Sequence, residues 1–183
     1  MTSDTTLPTP VAVLRSRARS HPEDGAVTQG YRADRGHVLA MLNEALATAI
    51  VCMLRYRRHH FMARGIHARR TADEFLAHAN EELGHADRLA ARIVQLGGEP
   101  DFAPDGLAAR SHAEYVAGAG LVDMITENLV AERIAIDSYR ELIRYLGDDD
   151  PTSGQMLREI LAVEEEHADE LADLLAEGRT PGR

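Results

Sequence analysis

Two Glu-x-x-His motifs contain the residues with the clearest capacity for chemistry. Glu82 and His85 lie three residues apart, and Glu164 and His167 repeat this spacing. In an α-helix, three residues place two side chains about 60° apart, so each pair shares one face. A carboxylate and an imidazole on one face can bind a metal ion or form a hydrogen-bonded pair.

Both motifs lie within apolar stripes at three- and four-residue spacing, which predicts that they face a helical core. The first stripe consists of Phe75, Ala79, Ala86, Leu89, Ile93 and Leu96, and the second of Leu157, Ile160, Leu161, Leu171 and Leu174. A buried charge is costly unless it is paired or bound to a metal. The sequence therefore predicts a metal site, with a metal-free Glu–His network as the alternative.

A third carboxylate and an internal repeat extend this pattern. Glu132 lies in the apolar stripe of a third helix, 32 residues before Glu164, and Tyr139 follows it by seven residues. The same step back from the first motif reaches position 49, and Tyr56 follows that position by seven residues. The two halves of the chain thus repeat each other. The repeat predicts a carboxylate at position 49, but the sequence has Ala49.

The composition is that of a soluble globular protein of one domain, with 183 residues, 44% hydrophobic and 27% charged. A net charge of −10 argues against general nucleic-acid binding and suits a protein that attracts cations. The single cysteine, Cys52, excludes an internal disulfide and a cysteine-built metal site. No uninterrupted apolar run has the length of a membrane span, and Met1–Ser20 lack the apolar core of a secretory signal. We expect a cytoplasmic protein without a membrane segment.

Helix signals predict an all-α, up-down four-helix bundle with one long crossover between helices 2 and 3. The predicted helices run from Asp34 to just before Gly65, from a capping box at Thr71 to Gly97, from Leu121 to Leu146, and from the cap Asp150 to Ala176. The crossover is Glu99 to Gly120. We divide the chain into a mostly irregular arm at 1–33, the bundle at 34–177 and a short polar tail at 178–183.

Several motifs resemble those of the ferritin-like di-iron carboxylate superfamily, in particular bacterioferritins and the Dps-like mini-ferritins that protect DNA. They are His85-Ala86-Asp87-Arg88, the ending Leu96-Gly97-Gly98-x-Pro100, and Glu164-Glu165-Glu166-His167. The likeness extends from about Leu39 to Leu175. A glutamate from each of two helices, with Glu-x-x-His from each of the other two, is the di-iron pattern of such bundles.

The resemblance implies a dinuclear iron centre. Glu82 and Glu164 would bridge two metals, His85 would bind one, and Glu132 and His167 would bind the other. Tyr56 would lie beside the centre. Manganese or zinc are the alternative metals for such donors.

The sequence departs from the family at two positions. Ala49 replaces the terminal glutamate of the first helix, and Glu44, five residues away on the polar face, cannot substitute for it. Leu83 stands where bacterioferritins have the methionine that binds haem, so no haem is expected. The absence of a fifth helix favours a smaller closed homo-oligomer, a dodecamer, over a large cage.

The resemblance predicts a ferroxidase, impaired by Ala49, that oxidises Fe²⁺ with O₂ or H₂O₂ and stores or detoxifies iron. The alternative is a non-catalytic or weakly metal-binding assembly protein, and a manganese catalase is a further one. DNA binding by the basic cluster Arg15, Arg17 and Arg19 is not expected. His59 and His60, near a helix end, are predicted to be solvated.

Overall fold

The computed structural model describes residues 7–65 and 68–179. These residues form six α-helices, one 3-10 turn at Pro22–Asp24 and no strand. The helices are α1 (Val11–Ala18), α2 (Arg35–Met62), α3 (Ala68–Gln95), α4 (Leu107–Arg110), α5 (Leu121–Leu146) and α6 (Pro151–Arg179). The prediction of an all-α bundle is confirmed.

The four long helices form two helical hairpins. Helix α2 packs most extensively on α3, and α5 on α6. The crossover between α3 and α5 runs along α2, contacting it from Asn43 to His59, and contains only the single turn α4. The core is built from the facing apolar stripes, with Leu46, Leu89 and Ile160 fully buried.

Capping residues explain two of the helix starts. Asp34 accepts a hydrogen bond from the His37 amide (3.1 Å), and Asp150 accepts one from the Ser153 amide (2.9 Å). The capping box predicted at Thr71 is wrong, because α3 already includes Ala68 and Thr71 is buried inside it. Helix α6 continues past the predicted end to Arg179, while the rest of the predicted tail, 180–183, lies outside the described residues.

The arm contains more regular structure than the sequence indicated, since it includes α1. No residue of α1 is buried. Tyr31 anchors the end of the arm by donating a hydrogen bond to Asp150 Oδ2 (2.9 Å). Asp150 also accepts from Arg92 Nη2 (2.8 Å) and from the Ser153 hydroxyl (2.6 Å). This buried junction joins the arm, α3 and α6.

A second buried polar group holds the crossover against the bundle. Arg55, 1% exposed, donates to Asn128 Oδ1 (2.9 Å) and to the Glu114 carbonyl (2.8 Å). His59 is fully buried and bonds through Nε2 to the Ala117 carbonyl (3.0 Å). The prediction that His59 is solvated is therefore wrong, because the carbonyl groups of the crossover need donors.

Helix α2 is more apolar than its interrupted apolar runs indicate. It contains an 18-residue window with mean hydropathy 1.7, long enough to cross a membrane, and half of that window is buried inside the bundle. The fully buried cation Arg55 also lies on this helix. Packing in the core accounts for the buried half of this window.

Candidate metal centre

The structure brings the five sequence-predicted ligands together in the middle of the bundle. All five side chains are at least nine-tenths buried, because each lies on the inward apolar stripe of its helix. They come from three helices. The residues are Glu82 and His85 from α3, Glu132 from α5, and Glu164 and His167 from α6.

His85 marks one end of the centre. Its Nδ1 lies 3.2 Å from Glu164 Oε1 and 3.6 Å from Glu82 Oε2. One donor atom from each of these three residues lies within 4.8 Å of the other two, a spacing that a single metal ion can span.

His167 marks the other end. Its Nδ1 lies 3.5 Å from Glu164 Oε2 and 4.0 Å from Glu132 Oε2, and these three residues form a second group within 4.8 Å. Glu164 belongs to both groups, with one carboxylate oxygen toward each imidazole. This is the arrangement expected of a carboxylate that bridges two metals.

Six donor atoms of the centre make no hydrogen bond within the protein. They are Glu82 Oε1, His85 Nδ1, Glu132 Oε2, both carboxylate oxygens of Glu164, and His167 Nδ1. Buried polar atoms are normally satisfied. Six converging atoms without partners, all of them metal-ligand types, fit a pair of divalent cations.

Burial and repulsion among the carboxylates shift the pKa values of several groups in the centre. Burial, followed by the charge of Glu164, raises the pKa of Glu82 to about 7. Burial, followed by the charges of Glu164 and Glu82, raises the pKa of Glu132 well above its usual range. Burial opposes the protonation of His85, but Glu164 and Glu82 outweigh it and raise the pKa of His85 to about 9. Without metal the centre retains protons, and metal binding would displace them.

A surrounding set of contacts orients the candidate ligands. The Tyr56 hydroxyl donates a short hydrogen bond to Glu132 Oε1. His167 Nε2 lies 2.5 Å from Glu81 Oε2, so its N–H points at that carboxylate and leaves Nδ1 free toward the centre. His78 Nδ1 lies 3.3 Å from the Tyr56 hydroxyl.

Glu81 and His78 were missed from sequence. His78 precedes Glu82 by four residues, a helical spacing that could have revealed it. Glu81 is exposed, on the side of α3 that the apolar stripe leaves out, so no periodic signal singles it out.

Position 49 carries no donor in the folded chain. Ala49 is 1% exposed and belongs to the apolar cluster that includes Ala86, Leu89 and Tyr139. Glu44 lies at the surface, where its carboxylate is 3.4 Å from His112 Nε2. Each of the two groups in the described chain therefore has three protein donors, and none comes from α2.

Four long helices with a Glu-x-x-His motif on two of them and a further buried glutamate define the class of carboxylate-containing ferritin-like bundles. The family described as "Ferritin-like domain" matches residues 39–180. The chain belongs to this family.

Individual relatives support the same placement. The chain is 24% identical to a bacterioferritin of Desulfovibrio desulfuricans over 140 residues, which cover 75% of this chain and 74% of that protein. It is 28% identical to a bacterioferritin of Rhodobacter capsulatus over 133 residues, covering 72% and 78%.

Two solved structures share the fold. A bacterioferritin-related protein from Bacteroides fragilis, described as a dodecameric thioferritin, is 30% identical with a TM-score of 0.77, covering 81% of this chain and 89% of that one. Dps from Thermosynechococcus elongatus is 20% identical with a TM-score of 0.74, covering 80% and 92%.

Proposed function

We propose that this protein oxidises Fe²⁺ at the centre formed by Glu82, His85, Glu132, Glu164 and His167, and sequesters the ferric product. The observation that carries the proposal is the set of six buried donor atoms without partners, with Glu164 between the two imidazoles. Membership of a family of iron-binding proteins and the bacterioferritin relatives support iron as the metal.

The residues divide the work by position. In this proposal Glu164 and Glu82 would hold both Fe²⁺ ions, as the family resemblance implies, although Glu82 groups with the imidazole of His85 and not with that of His167. His85 would complete one position, and Glu132 with His167 the other. Two Fe²⁺ give one electron each to O₂, which takes up two protons and leaves as H₂O₂. With H₂O₂ as oxidant, the same two electrons and two protons yield two water molecules.

The contacts around the ligands keep the geometry fixed during this reaction. Tyr56 holds Glu132 through its hydroxyl, and Glu81 holds His167 through Nε2. Partners of this kind set ligand orientation and raise metal affinity. The surrounding apolar core excludes water from the centre.

Ala49 makes the centre unequal in this proposal. The His85 position lacks the terminal carboxylate that the family supplies from the first helix, so Fe²⁺ binds less tightly there. Paired oxidation needs both positions filled, and turnover is therefore slow. Occupancy favours the position of Glu132 and His167.

The surrounding assembly is part of the proposal. We place the protein in the cytoplasm as a closed homo-oligomer of twelve subunits, supported by the dodecameric thioferritin relative. DNA is not a proposed partner, since the net charge is −10.

Aerobic oxidation of added Fe²⁺, followed by ferric absorbance in the ultraviolet, tests the proposal. The wild-type chain should oxidise Fe²⁺ faster than buffer, and Glu82→Gln/Glu164→Gln should fall to the buffer rate. A matched control, Glu141→Gln/Glu159→Gln, removes two exposed carboxylates that pair with Arg144 and Arg88, and should behave as wild type. Wild-type protein no faster than buffer refutes the enzymatic proposal.

The same assay distinguishes the second candidate function, a metal-binding assembly protein without activity. The observation that favours it is the apolar Ala49. In that case equilibrium dialysis detects bound metal that Glu82→Gln/Glu164→Gln removes, while Fe²⁺ oxidation stays at the buffer rate.

A further inference from the structure

We propose that Glu74, His78 and Glu170 form a separate, mononuclear site for a divalent cation, next to the dinuclear centre. The group spans α3 and α6 and shares no residue with the five candidate ligands described above. The site goes beyond the proposed oxidation of iron and does not depend on it.

The three donors surround one small space. His78 Nε2 lies 2.8 Å from Glu170 Oε2 and 3.9 Å from Glu74 Oε1, and one donor atom from each residue lies within 4.8 Å of the others. His78 is 1% exposed, whereas the side chains of Glu74 and Glu170 are 33% and 42% exposed. A buried imidazole thus forms the floor of a site whose carboxylates reach solvent.

A cavity of about 240 Å³ opens over this floor. Four carboxylates line it, from Glu74, Glu81, Glu166 and Glu170. A concave surface lined by one sign of charge concentrates ions of the opposite sign.

Both ring nitrogens of His78 lie close to a polar group. The Tyr56 hydroxyl has one hydrogen, and it is donated to Glu132. His78 Nδ1 lies 3.3 Å from the same hydroxyl oxygen, and His78 Nε2 lies 2.8 Å from Glu170 Oε2. The closer contact, from Nε2 to Glu170, is the one that a metal ion on Nε2 would replace.

His78 Nε2 faces the carboxylates of Glu170 and Glu74. Two carboxylates beside one imidazole nitrogen carry more negative charge than a single N–H can offset, which favours a cation among them. Repulsion is also visible between the two carboxylates, because burial and then the charge of Glu170 raise the pKa of Glu74. A divalent cation on Nε2 satisfies all three groups, and the Nδ1 contact with Tyr56 orients the ring, as in many metal-binding histidines.

One imidazole and two carboxylates select Fe²⁺, Mn²⁺ or Zn²⁺ over softer metals. With three protein ligands the remaining coordination positions stay open to water, so the bound ion can exchange. The site also contacts the dinuclear centre directly, since the His78 ring stacks on His167 with centroids 4.0 Å apart.

Zn²⁺ binding to the full-length protein tests the proposal, with crystals soaked in Zn²⁺ and anomalous diffraction measured at the zinc edge. We expect a peak within ligand distance of His78 Nε2 in wild type and in Glu82→Gln/Glu164→Gln. The peak should vanish in Glu74→Gln/Glu170→Gln and remain in the control Glu141→Gln/Glu159→Gln. Because Glu74 and Glu170 are partly exposed, their substitution should leave folding intact.

Equilibrium dialysis gives the matching measurement in solution. Glu74→Gln/Glu170→Gln should lose about one Zn²⁺ per chain and keep the ions that Glu82→Gln/Glu164→Gln removes. Unchanged binding in Glu74→Gln/Glu170→Gln, or no peak at His78 in wild type, overturns the site. Wild-type binding by Glu82→Gln/Glu164→Gln instead contradicts the dinuclear centre and leaves this site standing.

Discussion

Replacing Ala49 with glutamate should convert the unequal centre into a balanced one. Ala49 is buried at the repeat position on α2, in the same apolar cluster as Ala86 and Leu89 of α3. Glu82, Glu132 and Glu164 bring three negative charges to two Fe²⁺ ions, and a fourth carboxylate would neutralise the remaining positive charge. The helix already presents this position to the core, so no backbone change is needed.

The effect of Ala49→Glu on stability should differ in sign between the metal-free and the metal-bound protein. Without metal, a larger polar side chain in a packed core should lower the free energy of unfolding by about 1–3 kcal/mol. With metal, one additional anionic ligand should strengthen binding at the His85 position by about 10- to 100-fold, or roughly 1.4–2.8 kcal/mol. Ala49→Glu should therefore be less stable than wild type in chelator and at least as stable in excess Fe²⁺.

Anaerobic Fe²⁺ titration and stopped-flow oxidation measure the two consequences. Ala49→Glu should bind a second Fe²⁺ with higher affinity and oxidise Fe²⁺ faster than wild type. Ala49→Gln, which has the same size without the charge, is the matched control and should gain much less. Equal, full occupancy of both positions in wild type, with no rate gain in Ala49→Glu, would refute the reasoning.

Four further predictions concern pH, the buried junction, assembly and the arm. The pKa of Glu82 is raised from 4.5 to about 7 in the folded state, so its contribution to the free energy of unfolding is fully present below pH 4.5 and is lost as the pH rises through 7. Urea unfolding in chelator should show this loss of about 3 kcal/mol in wild type and not in Glu82→Gln, and Zn²⁺ should reverse it. Asp150→Ala should lower the free energy of unfolding by about 3–5 kcal/mol in the same measurement, because it leaves Arg92 buried without its partner, whereas Asp149→Ala, in an exposed pair with Arg32, should cost less than about 1 kcal/mol. Light scattering should give the mass of twelve subunits, and a monomer or dimer would exclude iron storage in a shell but not metal binding. Electrophoretic retardation of DNA should be absent at about 150 mM salt, with or without residues 1–33, and a salt-resistant shift would contradict this.

Periodicity and capping were sufficient to predict the bundle. The stripe around Glu132 predicted α5 with both of its ends, and Asp34 and Asp150 were recognised as caps because their side-chain chemistry is local. Thr71 misled the prediction, since the same capping residue can also be buried within a helix. Within the bundle, local signals thus predict which long helices exist better than where each one starts.

The candidate centre was predictable because its residues break the apolar stripes that contain them. The burial of His59 was not predicted, because its partners are carbonyl groups of the crossover, whose path the sequence does not reveal. Glu81 and His78 depend on contacts with α6 and Tyr56 across the bundle. Such contacts follow from tertiary packing and have no signature in the spacing of residues along one helix.

The division of the ligands between the two helical hairpins has a consequence for folding kinetics. The pairs α2–α3 and α5–α6 are each close in sequence and can form early, whereas Glu82 of the first meets Glu132 and Glu164 of the second only when the hairpins dock. The carboxylates of Glu82, Glu132 and Glu164 must then lose their hydration together during docking, which is the step that closes the longest loop. A divalent cation or a proton screens that encounter, so the docking rate, and not only the final stability, should depend on which of them is present.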